Sequence, residues 1–319
     1  IIKEVDEKDT NNFMFSANYK SFAIEKGWFD PNGTKPFVWQ DVYAPMFREW
    51  ASSRLWLFYS TYAPNYTEWP ERKLSDGHMM GYNQYIQYID PPSLYPVSVK
   101  PEKKISLQDI IAFQRSTFDG TIYDMTEDYD WYVPDGKGGM KKSPLATPFP
   151  SKDMRELLDI NNRRMVARPQ GYYGMIAQLR DWLPDPIGGI YWIFLDNAYT
   201  SPYVPIYVGS EQIAECYQTF DPGHYSRESA KWAIDFVDNL MYLKWQDMIR
   251  DVRAVRDPFE QRLFDEREEV DNSALSLYNK DKQAALDYLS DYTVKNMEEV
   301  LEMYNNLHDE LIVKYSNSR

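Results

Sequence analysis

The stretches GYYGMIAQLR, Gly171–Arg180, and GGIYWIFL, Gly188–Leu195, are the most strand-like runs in the chain. The seven residues between them, DWLPDPI, contain two prolines and two aspartates, a composition typical of a turn. Two apolar runs on either side of a turn predict antiparallel neighbours in a buried sheet. A third apolar run, Tyr203–Val208, follows Ser201-Pro202 and extends the same pattern.

The last third of the chain has helical periodicity instead. Apolar residues recur at helical spacing from Ser226, which we interpret as an N-cap, as far as Val252. Pro258 is expected to end this helix, and a further helix is predicted from about Tyr292 to Tyr315. Strands followed by a block of helices indicate an α+β fold.

Two domains are therefore predicted. The first, residues 1–220, contains the sheet and long loops rich in proline and aromatic residues, chiefly Pro64–Pro101. The second, residues 221–319, is a helical region packed on the first. Within the first, a helix is predicted to begin at Ser106, where the sequence resembles a capping box. The glycine-rich run Asp135–Lys142 predicts a hairpin or surface loop.

The composition excludes several classes of partner. The chain has 319 residues and a net charge of -14, whereas nucleic-acid binding requires a basic face. Apolar runs all fall short of membrane-spanning length, so no membrane partner is predicted. The chain opens with Ile1-Ile2 instead of Met, which we interpret as a cut inside a longer protein. The missing signal-peptide pattern therefore leaves a cytoplasmic and an exported location both open.

Residues that could carry chemistry are few. The single cysteine, Cys216, excludes an intrachain disulfide and a zinc-cysteine cluster. The three histidines stand alone, so neither a metal nor another cofactor is predicted. His224 follows Cys216 closely enough to leave a catalytic Cys-His pair open, although a lone cysteine is more often a small buried apolar residue.

Five stretches, in the same order along the chain, resemble the cysteine dipeptidases related to the secernins, which are N-terminal-nucleophile hydrolases. They are Asn12–Ser16 with Phe22–Gly27, Phe118–Asp124, Arg168-Pro169-Gln170 leading into Gln178–Arg180, Gly189–Trp192, and Tyr199–Tyr207. The helical segment after Trp232 also fits, so the resemblance spans most of the 319 residues. The resemblance implies that the sheet is the later part of an αββα sandwich.

In that family the nucleophile is the cysteine at residue one of the mature chain, and its own α-amino group is the general base. An α-amine has a pKa of roughly 7.7–8.0, so it is partly neutral at working pH. Residue one here is Ile. The resemblance therefore implies the C-terminal portion of a dipeptidase, with a dipeptide as substrate and the missing N-terminal segment as partner. The isolated chain is expected to be inactive.

The resemblance also implies site residues. Arg168 precedes a strand, where related amidases place a basic residue near the nucleophile; the alternative is pairing with surface carboxylates. Thr121, Tyr123 and Asp124 follow the Asp119-Gly120 turn and are candidate substrate-binding residues. Asp124 could hold a dipeptide's ammonium group, but an aspartate in this position equally well caps the backbone. Asp196 and Ser201, in the loop after a strand end, complete the candidates.

Two alternatives to a peptidase remain at this point. A non-catalytic binding module for carbohydrate or peptide would use coplanar exposed aromatic residues from the Pro64–Pro101 loop. A helical interaction protein would present a large exposed apolar helix face in the acidic last third. The dipeptidase hypothesis predicts instead a sheet with one face or edge left bare.

Overall fold

The computed structural model describes residues 11, 13–34, 37, 42–43, 49–64, 99–121, 123–160 and 163–316. The chain divides into two compact units, Ile1–Lys104 and Ile105–Arg319. The three-stranded sheet and the long C-terminal helices belong to the same unit, the second.

The first unit contains helices α1, Tyr19–Glu25, and α2, Glu49–Tyr62. Helix α1 ends at Glu25, and Gly27 just beyond it has a φ of +69° that glycine adopts without strain. The apolar run 52–59, too short for its periodicity to separate strand from helix, lies within α2. Residues 65–98, on which the binding-module alternative depends, lie outside the described residues.

The second unit is a mixed α+β assembly. Its helices are α3, Leu107–Gln114, α4, Lys152–Leu157, α5, Asp185–Gly188, α6, Ala230–Leu240, α7, Trp245–Tyr278, and α8, Lys282–Tyr315. Its strands are β1, Tyr132–Pro134, β2, Met140–Lys142, β3, Tyr173–Leu179, β4, Gly189–Leu195, and β5, Val204–Tyr207. Short 3₁₀ turns occupy Met125–Glu127, Tyr129–Trp131, Glu215–Tyr217 and Met241–Leu243.

The predicted strand pair is confirmed. Strands β3, β4 and β5 form an antiparallel sheet in that order, with Tyr173 opposite Leu195 and Leu179 opposite Gly189. The turn DWLPDPI contains the single helical turn α5. The run Asp135–Lys142 also belongs to a hairpin, because its last three residues form β2, which pairs with β1 just before the run.

One face of the sheet packs against the long helices. Trp192 of β4 is 0% exposed, and its ring lies 5.2 Å from that of Phe264 on α7. Tyr207 of β5 donates a hydrogen bond of 2.9 Å to Asp271 on α7 and lies edge-on to Tyr292 of α8. Gly174 belongs to this face, where any Cβ would meet the ring of Phe194 at 2.2 Å.

The opposite face of the same sheet is apolar and is exposed along β3, whereas Val204 of β5 on this face is buried. The face carries alternate residues of β3 and β4 and the residue that follows β5. Leu179 is 80% exposed and Met175 is 52% exposed. Further exposed residues of this face are Tyr173, Ala177, Tyr191 and Val208. A sheet face of this character is what the dipeptidase hypothesis predicts.

The C-terminal helices differ from prediction in their ends. Ser229, rather than Ser226, accepts the capping hydrogen bond of α6. The predicted continuous helix is then interrupted by the 3₁₀ turn Met241–Leu243. In the first turn of α7, the Gln246 amide donates to the carbonyl of Pro144 at 3.1 Å instead of to a carbonyl of α6. Helix α8 begins at Lys282, ten residues before the predicted start, with Asp281 as its cap.

Pro258 does not end its helix, contrary to prediction. It lies inside α7, where it removes one helical hydrogen bond at a cost of about 3 kcal/mol. The neighbouring Phe259, Glu260 and Leu263 are all buried. Tertiary packing along the helix outweighs the local penalty.

Neither a membrane span nor a metal cluster is found in the parts of the chain that the structure describes. Helices there are too short or too polar to cross a bilayer. Histidine, cysteine and carboxylate side chains do not gather there in threes around a common point that could hold a metal ion.

Candidate active site

A cavity of about 610 Å³ lies in the second unit. Its wall combines the segment that leads into α4, the segment that leads into β3, and the end of α6. The lining side chains that carry charge or hydrogen-bonding groups include Lys152, Arg155, Arg163, Arg164, Arg168, Gln170, Asp238, Asn239 and Tyr242. The volume is within the range of small-molecule sites, about 300–1,000 Å³.

The charge of this cavity is opposite to that of the chain. Of its described lining residues, five are lysine or arginine and one is a carboxylic acid, Asp238, whereas the whole chain carries a net charge of -14. Arg168, the predicted active-site arginine, lines this cavity. It makes no hydrogen bond or ion pair in the described part of the chain. Clustered guanidinium groups in a concave site favour anionic ligands.

Arg163 is the buried basic residue of the wall. Its guanidinium group donates to the carbonyl oxygen of Tyr123 and lies 5.7 Å from the centre of the Tyr123 ring. The predicted turn therefore contacts the cavity through one of its backbone oxygens, which fixes the position of a cationic wall residue.

The turn itself is held together by its own polar groups. The Thr121 hydroxyl donates to the carbonyl of Phe118 at 2.8 Å and accepts from the Tyr123 amide at 3.1 Å. Asp124 accepts from the amide of Gly120 and from the amide and hydroxyl of Thr126, at 2.8–2.9 Å. Asp124 thus caps the 3₁₀ turn Met125–Glu127, as the structural alternative proposed. Substrate contact by these residues stays a prediction.

Asp238 is the acidic residue of the cavity, and it lies on α6. Only 2% of the residue is exposed. One oxygen accepts hydrogen bonds from Asn197 at 3.1 Å and Thr200 at 2.7 Å. The other oxygen makes no hydrogen bond within the described part of the chain. Burial, together with the nearby carboxyl of Asp196, raises the pKa of Asp238 to about 7.

Sequence reasoning did not identify Asp238. A signal was present, because this acid lies beside the apolar stripe of α6 formed by Ala230, Ala233, Ile234 and Val237. A carboxyl in that position must be buried, and buried carboxyls with raised pKa values are common at functional sites.

The predicted loop Asp196–Ser201 holds Asp238 in place through the hydrogen bonds that Asn197 and Thr200 donate to it. Asp196 adopts a left-handed conformation with φ +64°, and its Oδ1 lies 2.7 Å from the ammonium group of Lys231. Its Oδ2 is buried without a hydrogen-bond partner. Burial raises the pKa of Asp196 to about 6, an effect that Lys231 opposes. The Ser201 hydroxyl donates to the carbonyl of Leu195, the last residue of β4.

The carbonyl oxygens of this loop accept hydrogen bonds from side chains of α7, α8 and the residue that follows α3. Arg115 of the turn after α3 donates to Ala198 at 2.9 Å and to Ser201 at 2.8 Å. Arg256 of α7 donates to Tyr199, and the Tyr304 hydroxyl of α8 donates to Thr200. The loop is therefore rigidly positioned. Arg168 borders the cavity directly, whereas Tyr123 contacts it through Arg163 and the Asp196–Ser201 loop contacts it through Asp238.

Cys216 is set in an inert environment. It is buried, its sulfur lies 3.8 Å from the carbonyl of Met297, and burial raises the pKa of the thiol. His224 is exposed instead and pairs with Asp221 at 2.9 Å. The two residues form no catalytic pair.

Two comparisons with known proteins bear on the site. The model of Peptidase family C69 matches residues 1–257. Probable dipeptidase B of Streptococcus pyogenes serotype M1 is 23% identical over 204 residues, which is 61% of this chain and 35% of the relative. The chain thus aligns with about a third of the length of that curated relative.

Proposed function

Because the chain belongs to peptidase family C69, we propose that it is part of a cysteine-type dipeptidase whose nucleophile lies outside residues 1–319. The name of the relative, probable dipeptidase B, supports dipeptides as substrates. The alignment leaves most of that relative uncovered, which is consistent with a further segment that carries the reactive cysteine.

The setting of Cys216 is the observation that carries this proposal. A cysteine nucleophile reacts as the thiolate, and catalytic cysteines lie in accessible sites with a lowered pKa. Cys216 is 8% exposed, and its pKa is raised. A cysteine peptidase therefore needs a different sulfur from this one.

The exposed sheet face supports the same proposal. Met175, Tyr191 and Leu179 form an apolar surface of the kind that soluble proteins normally cover. In the αββα sandwich that the motifs imply, a second sheet covers such a face. We assign that sheet to residues of the same protein outside the 319, together with the nucleophile.

The chemistry follows from the family. The thiol attacks the carbonyl carbon of the dipeptide, and the α-amino group of the same cysteine accepts the thiol proton. The resulting oxyanion collapses to an acyl-enzyme as the C–N bond breaks, and the C-terminal amino acid leaves with the proton held by the α-amino group. Water then hydrolyses the thioester and releases the N-terminal amino acid and the free thiol. In this scheme Arg168 is the active-site arginine, while Thr121, Tyr123, Asp124, Asp196 and Ser201 belong to the substrate-binding region.

The test compares two lengths of the protein. Release of amino acids from dipeptides is measured for the 319-residue chain and for the product of the whole reading frame. We expect turnover only from the latter, and Cys216→Ala should leave its kcat and KM unchanged. Turnover by the 319-residue chain that disappears in Cys216→Ala would overturn the proposal.

A further inference from the structure

We infer that the basic cavity binds a zwitterion, with the free α-carboxylate of a dipeptide at Arg168 and its neighbours and the ammonium group at Asp238. This inference deepens the proposed dipeptidase function and rests on it for the identity of the ligand. It assigns the two ends of the substrate to opposite charges in one cavity.

The carboxylate end follows from the local charge. Among the described lining residues, five basic side chains accompany a single acid, in a chain whose net charge is -14. Guanidinium groups bind carboxylates through two parallel hydrogen bonds. Arg168 makes no such bond to the described part of the chain, so a ligand's carboxylate can take both.

The wall is also prepared for an anion. Arg163 is fixed by the carbonyl and the ring of Tyr123, and a cation that is already ordered loses little entropy when a ligand binds. Arg168 therefore acts beside a positive charge whose position does not depend on the ligand.

The ammonium end follows from Asp238. Within the described residues, this buried acid has one oxygen without a hydrogen bond and pairs with no cationic side chain. The nearby ammonium group of Lys231 is taken by Asp196 at 2.7 Å and by Asp235 at 3.3 Å. An ammonium group from outside would supply the missing positive charge and donate to the free oxygen.

The size of the cavity agrees with a short peptide. Its volume is about 610 Å³. Two extended residues span about 7 Å between their charged ends, so a dipeptide places both charges inside one such cavity. A blocked end would bury a neutral group against an unpaired charge, which is unfavourable.

The test measures binding, without any need for catalysis. Calorimetry on the 319-residue chain compares alanyl-alanine with its C-terminal amide and with its N-acetyl derivative. We expect each blocked peptide to bind at least tenfold more weakly. Equal affinities for the three peptides, or the absence of binding by alanyl-alanine, would overturn the inference.

Variants assign the two ends. Arg168→Gln should weaken the binding of alanyl-alanine about tenfold and leave the affinity for the C-terminal amide unchanged. Asp238→Asn should also weaken the binding of alanyl-alanine about tenfold and leave the affinity for the N-acetyl peptide unchanged. Arg250→Gln is the matched control, since Arg250 is an exposed arginine that lies 3.9 Å from Asp247 on the same helix. Equal effects of Arg168→Gln and Arg250→Gln would also overturn the assignment.

The two proposals can fail separately. If the whole protein hydrolyses dipeptides and Arg168→Gln leaves its KM unchanged, the cavity assignment fails and the dipeptidase remains. If the 319-residue chain binds alanyl-alanine through both charged ends while the whole protein hydrolyses no dipeptide, the proposed function fails and the cavity assignment remains.

Discussion

The two faces of the three-stranded sheet have similar side chains and opposite surroundings. Trp192 and Tyr207 are buried against α7 and α8, while Tyr191 and Leu179 lie open on the other side. The apolar character of a strand therefore does not tell which face is packed in this unit. The exposed fraction of the side chains distinguishes the two faces. A layer that covered the open face would stabilise the protein most, because it would bury exposed apolar surface.

Two adjacent residues of β4 provide the most direct test of the difference between the two faces. Trp192→Ala should destabilise the protein by about 3–5 kcal/mol, because it leaves a large cavity against Phe264. Tyr191→Ala, on the open face, should cost about 1 kcal/mol or less. Urea denaturation of the two variants measures both values. Similar costs would show that the faces do not differ as described.

A second prediction concerns the ionisation of Asp238 on α6, a helix of the packed side. Its pKa of about 7 in the folded protein exceeds the value of about 4 in the unfolded chain. The folded protein therefore binds more protons between these values, and its stability falls as the pH rises from about 4 to 7. Asp238→Asn should remove this loss and stabilise the protein at pH 8 by on the order of 3 kcal/mol.

The groups around Asp238 define the control for that measurement. Asp196 and Asp235 both raise the pKa of Asp238, while the hydrogen bonds from Asn197 and Thr200 lower it. Asp196, with a pKa of about 6, adds a smaller loss of stability as the pH rises from about 4 to 6, and this loss persists in Asp238→Asn. Asp291→Asn, a substitution at an exposed carboxylate of α8, is the control variant in the same measurement of unfolding free energy against pH. A profile that Asp238→Asn does not flatten would contradict the prediction.

The smallest effect is expected on the open face. Leu179→Ser should change the stability of the 319-residue chain by about 0.5 kcal/mol or less, because this side chain is 80% exposed. In the whole protein the same substitution should cost about 1–2 kcal/mol, if a second sheet buries Leu179 there. Thermal unfolding of both lengths measures the difference. Equal small costs in both would show that this face stays open.

Much of the fold was predictable because its signals are local. The apolar runs around DWLPDPI identified β3 and β4, and Ser106 with Asp109 identified the capping box that begins α3. The family was recognisable from five ordered motifs and is confirmed. Pro258 was misinterpreted, because the packing that holds it within α7 comes from residues distant in sequence.

The site was predictable only in part. Arg168 was found because it accompanies a recognisable motif. The cavity that surrounds it joins residues near 125, 148–155 and 163–170 with Asp238, Asn239 and Tyr242, and no spacing along the chain brings those segments together. The roles predicted for Thr121 and Ser201 remain predictions, since the hydroxyl of each donates to a backbone carbonyl a few residues earlier in the chain.

The carbonyl oxygens of the loop after β4 also bear on how the second unit folds. Arg115, Arg256 and Tyr304 reach these oxygens from 57 to 104 residues away along the chain. Their hydrogen bonds close only when segments from both ends of the unit have docked, which gives the unit a high contact order and slows its folding. The amides of α3, α7 and α8 should then exchange with deuterium in a single cooperative opening, rather than helix by helix.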